Sequence, residues 1–431
     1  MNSVWKENIN LKQFPKLNGA HKTDILIIGG GMAGILCALL LQSSGVDYML
    51  VEGGRIAGGT TGNTTAKITV QHGLIYSRIA KEYGLEKAQM YYDIQRQALE
   101  KLCEISRNID CSLEEKSHYV YSLHHRSKLE EEQRVLEKIH AHAVFCERTE
   151  LPFKTCGAIQ FPQQAQFHPL RFISAICRDL NIFENTFIRE LNGTTAVFDR
   201  GTIQAQKIIV ATHFPFLNRH GSYFLKLYQH RSYVIALAHA QKLNGMYLDE
   251  AKDGLSFRNY DGMLLLGGGA HRTGKKGGNW EVLRQAAQTF YPDAQEKFFW
   301  AAQDCMSLDA LPLIGPYSKN TKDLYVAAGF NKWGMTSSMV AAMILRDLVL
   351  EKQNDYEALF SPSRSILKPQ LMINIMETAA NFLSFSTKRC PHLGCALKWN
   401  PVEHSWDCPC HGSRFDSNGT VLENPAMKKL D

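Results

Sequence analysis

The chain has 431 residues, 45% of them hydrophobic and 21% charged, with a net charge of +6. That length suits about two or three domains with a core that needs no disulfide staples. It contains no run of five or six Lys/Arg, which argues against a nucleic-acid or membrane footprint.

The opening segment, MNSVWKENINLKQFPKLN, holds no apolar leader, and the apolar run ILCALLL at 35–41 is too short to span a bilayer. A cytoplasmic location is expected, where scattered thiols stay reduced and a local Cys/His group holds metal. Residues 24–34 read DILIIGGGMAG, an apolar β-branched strand followed by Gly29, Gly31 and Gly34 in the spacing GxGxxG. A helix follows to Gly45, and a second strand, DYMLVE, ends on Glu52. Glycines at this spacing let a pyrophosphate approach the backbone at a helix N-terminus, and the acid accepts hydrogen bonds from a ribose.

Further along, 77–110 reads as helical, and 127–143 as an amphipathic helix whose EEE run is taken as a solvated face. The alternating stretches 232–240 and 255–269 read as strands. Gly267-Gly268-Gly269 could be mistaken for a second nucleotide loop, but the polar, glycine-rich AHRTGKKGGNW after it makes no dinucleotide helix. Arg258, in SFRNY, is the candidate partner for a substrate carboxylate, with Arg231 and Tyr233 as rivals. No catalytic residue is assigned. The Ser- and Pro-containing segment SPSRSILKPQ at 361–370 reads as the start of a linker.

Four of the 11 cysteines fall within residues 390–415. Cys390-x-His392 and Cys408-x-x-His411 each supply one thiolate and one imidazole, whereas zinc fingers pair like with like. Two mixed loops are what a Rieske [2Fe–2S] centre requires, and a structural zinc site is the alternative. His404 lies outside both loops and reads as a surface residue.

Several of these segments resemble FAD-dependent oxidoreductases of the D-amino-acid oxidase and glycine oxidase type. The loop GGRIAGGTT after Glu52, the strand KIIVATH with His213 in place of the family's glycine, SLDALPLIG, and DLYVAAGFNKWGMTSSMVAAMIL occur in the family's order. The resemblance implies FAD contacts from Arg55, Gly58, Gly59, Thr60, Ala211, Thr212, Gly315, Gly329, Gly334, Met335 and Thr336. CPHLGC and CPCHGS resemble the two Rieske loops, which implies metal ligation by Cys390, His392, Cys408 and His411 and a disulfide between Cys395 and Cys410. Ser413 stands where that family has a hydroxyl donor to the cluster, Phe415 where it has Tyr, and Asn424-Pro425-Ala426 where it has Gly-Pro-Ala.

The expected fold class is α/β: a Rossmann-like FAD-binding domain with an interleaved, mostly antiparallel substrate domain, then a small all-β Rieske domain. The expected organisation is an oxidoreductase unit at 1–360, with FAD-binding parts near 24–75, 155–215 and 300–350 and substrate-domain parts near 76–154 and 216–299. A linker at 361–386 and a Rieske domain at 387–431 follow. Only about twenty residues separate the linker near 370 from Cys390, so the usual base of strands looks shortened and the cluster is expected to lean on the flavin domain. The expected function is a dehydrogenase of a small amine or amino acid, passing electrons through FAD and a [2Fe–2S] cluster to a one-electron acceptor protein or quinone. Two alternatives stand: a redox carrier with no organic substrate, and an amine oxidase with a vestigial cluster domain.

Overall fold

The computed structural model describes residues 2–217, 220–277, 279–386 and 388–430. Its first strand, Gly19–Ile28, ends in the glycine loop, from which the helix Met32–Ser43 departs. Tyr48–Val51 pairs with it in parallel on one side and Gly201–Val210 on the other. Ile182–Phe183 extends the sheet beyond Tyr48–Val51, and Leu324–Ala328 extends it beyond Gly201–Val210, again in parallel. Only the edge strand Leu313–Pro316 runs antiparallel on this path. Ile25 to Ile28 and Tyr48 to Val51 are all buried, as a parallel sheet covered on both faces demands. The strand ends at Ile28, Val51, Val210 and Ala328 share one edge, where a ligand of such a sheet binds.

A second sheet of nine strands is antiparallel apart from the pairing of Met246–Asp249 with Glu114–Tyr121. Its strand Leu227–Ala238 lies between Met263–Arg272 and Gln295–Ser307. Two expected boundaries shift here. Ala158–Gln166 pairs with Glu114–Tyr121, and Gln295–Ser307 pairs with Leu227–Ala238, so both belong to this sheet and not to the flavin parts that 155–215 and 300–350 suggested. The Gly267–Gly269 triplet sits inside the strand Met263–Arg272, which rules it out as a nucleotide loop.

The helical reading of 77–110 resolves into Ile75–Tyr83 and Leu85–Ser106, separated at Gly84. The helix Arg126–Lys138 corrects the view of its acidic run. Glu132 is buried, and its carboxylate accepts from the backbone N–H of Tyr76 at 2.9 Å and of Ser77 at 2.7 Å. It satisfies orphan donors at the start of a neighbouring helix, and burial pushes its carboxyl up to about 7.

The C-terminal part is a four-stranded antiparallel sheet of short strands, Lys398–Asn400, Ser405–Asp407, Arg414–Phe415 and Val421–Glu423. The segment expected as a linker instead contains a helix of 14 residues, Pro369–Phe382. Among the described residues no helix is long and apolar enough to cross a membrane.

Candidate functional site

The dinucleotide cradle is built by close backbone approach. Gly29 has φ 116°, and a Cβ on Gly34 would stand 1.9 Å from the Gly29 carbonyl oxygen, so helix and strand can meet only through glycine. The Glu52 carboxylate accepts from the N–H of Gly30 at 2.7 Å and of Gly54 at 2.8 Å. Burial pushes its pKa up, and those backbone donors oppose the shift. It is thus a fixed acceptor at the rim of the cradle, with lone pairs left for a ribose. Glu52→Ala should cost about 1.5–3 kcal/mol of FAD binding, the worth of a charge-assisted hydrogen bond. Flavin retained after dialysis measures it, and full retention would contradict this placement.

A cavity of about 1850 Å³ opens along this edge, beyond the roughly 300–1,000 Å³ of an ordinary ligand pocket. Gly29, Gly31, Glu52, Arg55, Gly58, Gly59 and Thr60 line it from the first half of the chain; Ala211, Thr212, Gly329, Gly334 and Met335 line it from the second. Gly34, Gly315 and Thr336 are not lining residues. Thr336 donates to the Thr69 carbonyl at 3.1 Å, and Gly315 lies within an edge strand. Arg55 lines the cavity but pairs with the buried Glu184. His213, in place of a glycine, has φ 67°, the left-handed conformation that glycine adopts most easily.

Arg258 is not part of the cavity. It is buried, and its Nη1 donates to the carbonyls of Thr65 at 2.5 Å, Ala66 at 2.9 Å and Phe167 at 3.4 Å. Its guanidinium joins segments of the chain and is not presented to a substrate in the cavity, contrary to the expected role. Arg231 and Tyr233 are also engaged, both with Glu403. The cavity group that sequence reasoning missed is Lys67, buried in the wall, donating to Ser256 Oγ and to the Tyr247 carbonyl at 3.4 Å. Burial, reinforced by the Arg258 charge, lowers its pKa to about 7. Its only sequence signal was its place after the glycine-rich loop.

At the other end, the two Cys/His loops face each other. The rings of His392 and His411 are 5.0 Å apart, and the Sγ atoms of Cys395, Cys408 and Cys410 lie within 4.8 Å of one another. Cys395 and Cys410 are free thiols, close together. The His411 Nδ1 is buried and has no hydrogen-bond partner among the described residues, as a nitrogen awaiting a metal would be. Burial lowers His392 to about 4 and His411 to about 3, so both imidazoles are neutral, the form that ligates. Two thiolates and two neutral imidazoles fit a [2Fe–2S] centre of mixed ligation. Ser413 Oγ accepts from the Ala426 N–H at 3.0 Å, Phe415 is fully buried, and His404 is exposed on a turn.

These loops rest on the oxidoreductase unit, chiefly on three strands of its second sheet. Gln229 Nε2 donates to the carbonyls of His411 at 3.0 Å and Asn424 at 2.9 Å, and its Oε1 meets His213 Nε2 at 3.0 Å. Gln303 Nε2 donates to the Gly412 carbonyl at 2.8 Å, and Arg272 to those of Pro409 and Cys410 at 2.9 Å each. Asn424, where the family has glycine, donates to the carbonyls of Thr212 at 2.5 Å and Phe214 at 2.9 Å. The fit is close: Gly412 has φ 84°, and a Cβ there would stand 2.5 Å from the Gln229 Cβ. The rings of His392 and His411 meet Phe214 edge-on at 6.2 and 6.3 Å. Glu403 closes the contact with a charge network. Arg231 Nε donates to it at 2.9 Å and Arg414 Nη2 at 3.0 Å, with all three side chains nearly dry.

Known proteins agree with both halves. Residues 24–348 match the FAD dependent oxidoreductase family, and 368–431 match the Rieske [2Fe-2S] domain. The Bacillus subtilis protein YhfW, a candidate Rieske 2Fe-2S iron–sulfur protein, is 33% identical across 99% of this chain and 96% of its own length. The cytochrome b6-f complex iron-sulfur subunit 2 of Nostoc is 54% identical over 41 residues, 10% of this chain and 23% of that protein. In fold, glycine oxidase from Geobacillus kaustophilus covers 80% of this chain and 99% of its own, with a TM-score of 0.66 at 19% identity. L-proline dehydrogenase from P. horikoshii covers 80% and 98%, with a TM-score of 0.65 at 15% identity. The chain belongs to the FAD-dependent oxidoreductase family and carries a C-terminal Rieske domain, with FAD and a [2Fe–2S] cluster as its cofactors.

Proposed function

We propose that the protein is a dehydrogenase of a small amine or amino acid whose electrons leave the flavin through the Rieske cluster, for a one-electron acceptor protein or quinone. The observation that carries this reading is the docking of the His411 loop on Gln229, which also bonds His213 at the cavity wall. When bound, FAD takes two electrons as a hydride and the cluster carries one at a time. Cys390, His392, Cys408 and His411 would hold the iron, and Cys395 and Cys410, free thiols here, would tie the two loops together once oxidised to a disulfide. Phe214 and Phe224, packed on the histidine rings, keep water from that edge.

Lys67 is the group placed to handle a proton. A substrate ammonium must become a neutral amine before a hydride can leave, and Lys67 Nζ, with its pKa near 7, accepts that proton. The sign follows directly. As the pH rises through about 7, Lys67 loses its charge, becomes a competent acceptor, and flavin reduction speeds up. Lys67→Met should slow reduction by about 100-fold or more and remove that inflection. Anaerobic flavin bleaching with a panel of amines and amino acids, followed by its pH profile, tests both substrate class and role. Bleaching by none of them would favour the redox-carrier alternative.

A further inference from the structure

The helix Pro369–Phe382 is turned inside out. The residues it buries are Leu371, Asn374 and Asn381, while Met372, Ile373, Ile375, Met376 and Phe382 are exposed. Its polar side has work to do: Asn374 Oδ1 accepts from Arg272 Nη1 at 2.7 Å, and the Asn381 carbonyl accepts from the Ala396 N–H at 3.0 Å. The second contact, through the Asn381 backbone, touches the first cluster loop directly; the first acts through Arg272, which bonds the Pro409 and Cys410 carbonyls of the second loop. The apolar side is left facing outward and continues into Leu383, 78% exposed, and Phe385, which stands wholly free of the protein. Scattered exposed apolar residues need no explanation, but an unbroken apolar face over four turns does.

We infer that this face is a docking surface for an anionic lipid bilayer, with the helix lying in the interface plane. The charges bordering it select that occupant. Lys368 precedes the helix, Lys388 and Arg389 follow it, and Lys275 with Lys276 flank its middle through the Lys275–Glu377 pair at 2.6 Å. Its neighbouring carboxylates, Glu377 and Glu82, are each taken up by one of these lysines, Lys275 and Lys368. An apolar face rimmed by surplus basic charge suits acyl chains beneath anionic headgroups. A lone projecting Phe385 suits a deformable phase, where a protein partner would need a matching pocket. No basic run in the sequence marks the surface, because its cations come from separate segments.

The position of the patch is informative. Phe382 packs beside Gly394 of the first cluster loop, where a Cβ would stand 3.5 Å from its ring. At the other end, Leu367 and Ile373 belong both to the apolar face and to the wall of the large cavity. Docking therefore brings cavity mouth and cluster loop together to the lipid boundary. If the relay reading holds, this is where a lipid-soluble acceptor would be met.

Co-sedimentation of the holoprotein with vesicles tests the inference without knowledge of substrate. Wild type should pellet with phosphatidylglycerol vesicles and bind pure phosphatidylcholine vesicles at least about 10-fold more weakly. The double variant Met376→Glu/Leu383→Glu should lose binding by a similar factor while keeping its flavin and cluster absorbance. Equal pelleting of variant and wild type would overturn the assignment, as would wild type that pellets with neither lipid. A wild-type dimer in solution that the double variant abolishes, without lipid binding, would assign the face to a second copy of the chain and overturn it equally.

Discussion

Glu403→Ala should loosen the cluster domain from the second sheet of the oxidoreductase unit by about 3–5 kcal/mol, the usual cost of removing one partner from a buried ion pair. Arg231, Arg414 and Glu403 have side chains only 6%, 4% and 2% exposed, so the two guanidinium groups would lose a shared counter-ion away from water. Arg414 keeps Asp407 at 2.9 Å, but Arg231 is left with Glu423 at 3.9 Å. Glu403→Gln, which keeps the shape and some hydrogen bonds, should do less damage. The same network predicts a pH limit. Burial pushes the Glu403 carboxyl up, but the hydrogen bonds and charge of Arg231, with Arg414, outweigh it and hold the group at about 2. A carboxylate whose pKa falls on folding stabilises fully above its unfolded value and loses that contribution as pH falls through the folded one. Domain docking should therefore be constant near neutrality and fail between about pH 4.5 and 2. Denaturation followed separately by cluster absorbance and flavin fluorescence reads both effects. Coincident, unshifted transitions in Glu403→Ala would show that the network does not hold the interface.

His411→Ala should abolish the iron–sulfur cluster while leaving FAD in place. The imidazole is one of the ligands proposed for the iron, and its Nδ1 has no hydrogen-bond partner among the described residues. The flavin cradle is made by other residues, Gly29, Gly31 and Glu52 among them. The docking contact to the loop survives, because Gln229 bonds the His411 carbonyl and not its side chain. Iron, acid-labile sulfide and the EPR signal should vanish together, with visible flavin absorbance unchanged. A variant that keeps its iron would remove His411 from the ligand set, and wild type with one tight zinc would favour a structural zinc site.

The features legible in the sequence are those whose logic is local. The dinucleotide cradle spans the 24 residues from Gly29 to Glu52, and the Cys/His loops span 22, from Cys390 to His411, so spacing alone carried them. That the cluster domain leans on the rest of the chain was also readable, from the shortness of the stretch before Cys390, although most of its contacts fall on the second sheet and fewer on the flavin part expected. What escaped depends on distant partners. Arg258 looked available for a substrate because nothing nearby claims it, yet its carbonyl partner Thr65 is 193 positions away. Glu403 and Arg231 are separated by 172 positions, so neither announced an interface charge network. Glu132 sat in an EEE run that is mostly solvated, and only the fold reveals that it caps a helix 55 positions earlier. The helix at 369–382 was hidden by its own inversion, since its asparagines point inward and all of its large apolar residues but Leu371 point outward.

In the proposed relay, electrons pass from flavin to cluster within one chain, across the Gln229 and Asn424 contacts. Laser-flash photoreduction of the flavin in the anaerobic holoprotein tests it without a known substrate, with cluster bleaching followed at its own wavelengths. The cluster should be reduced as the flavin reoxidises, in a first-order phase whose rate is independent of protein concentration and falls in Glu403→Ala. Flavin reduction with an unresponsive cluster, or cluster reduction whose rate scales with protein concentration, would contradict it.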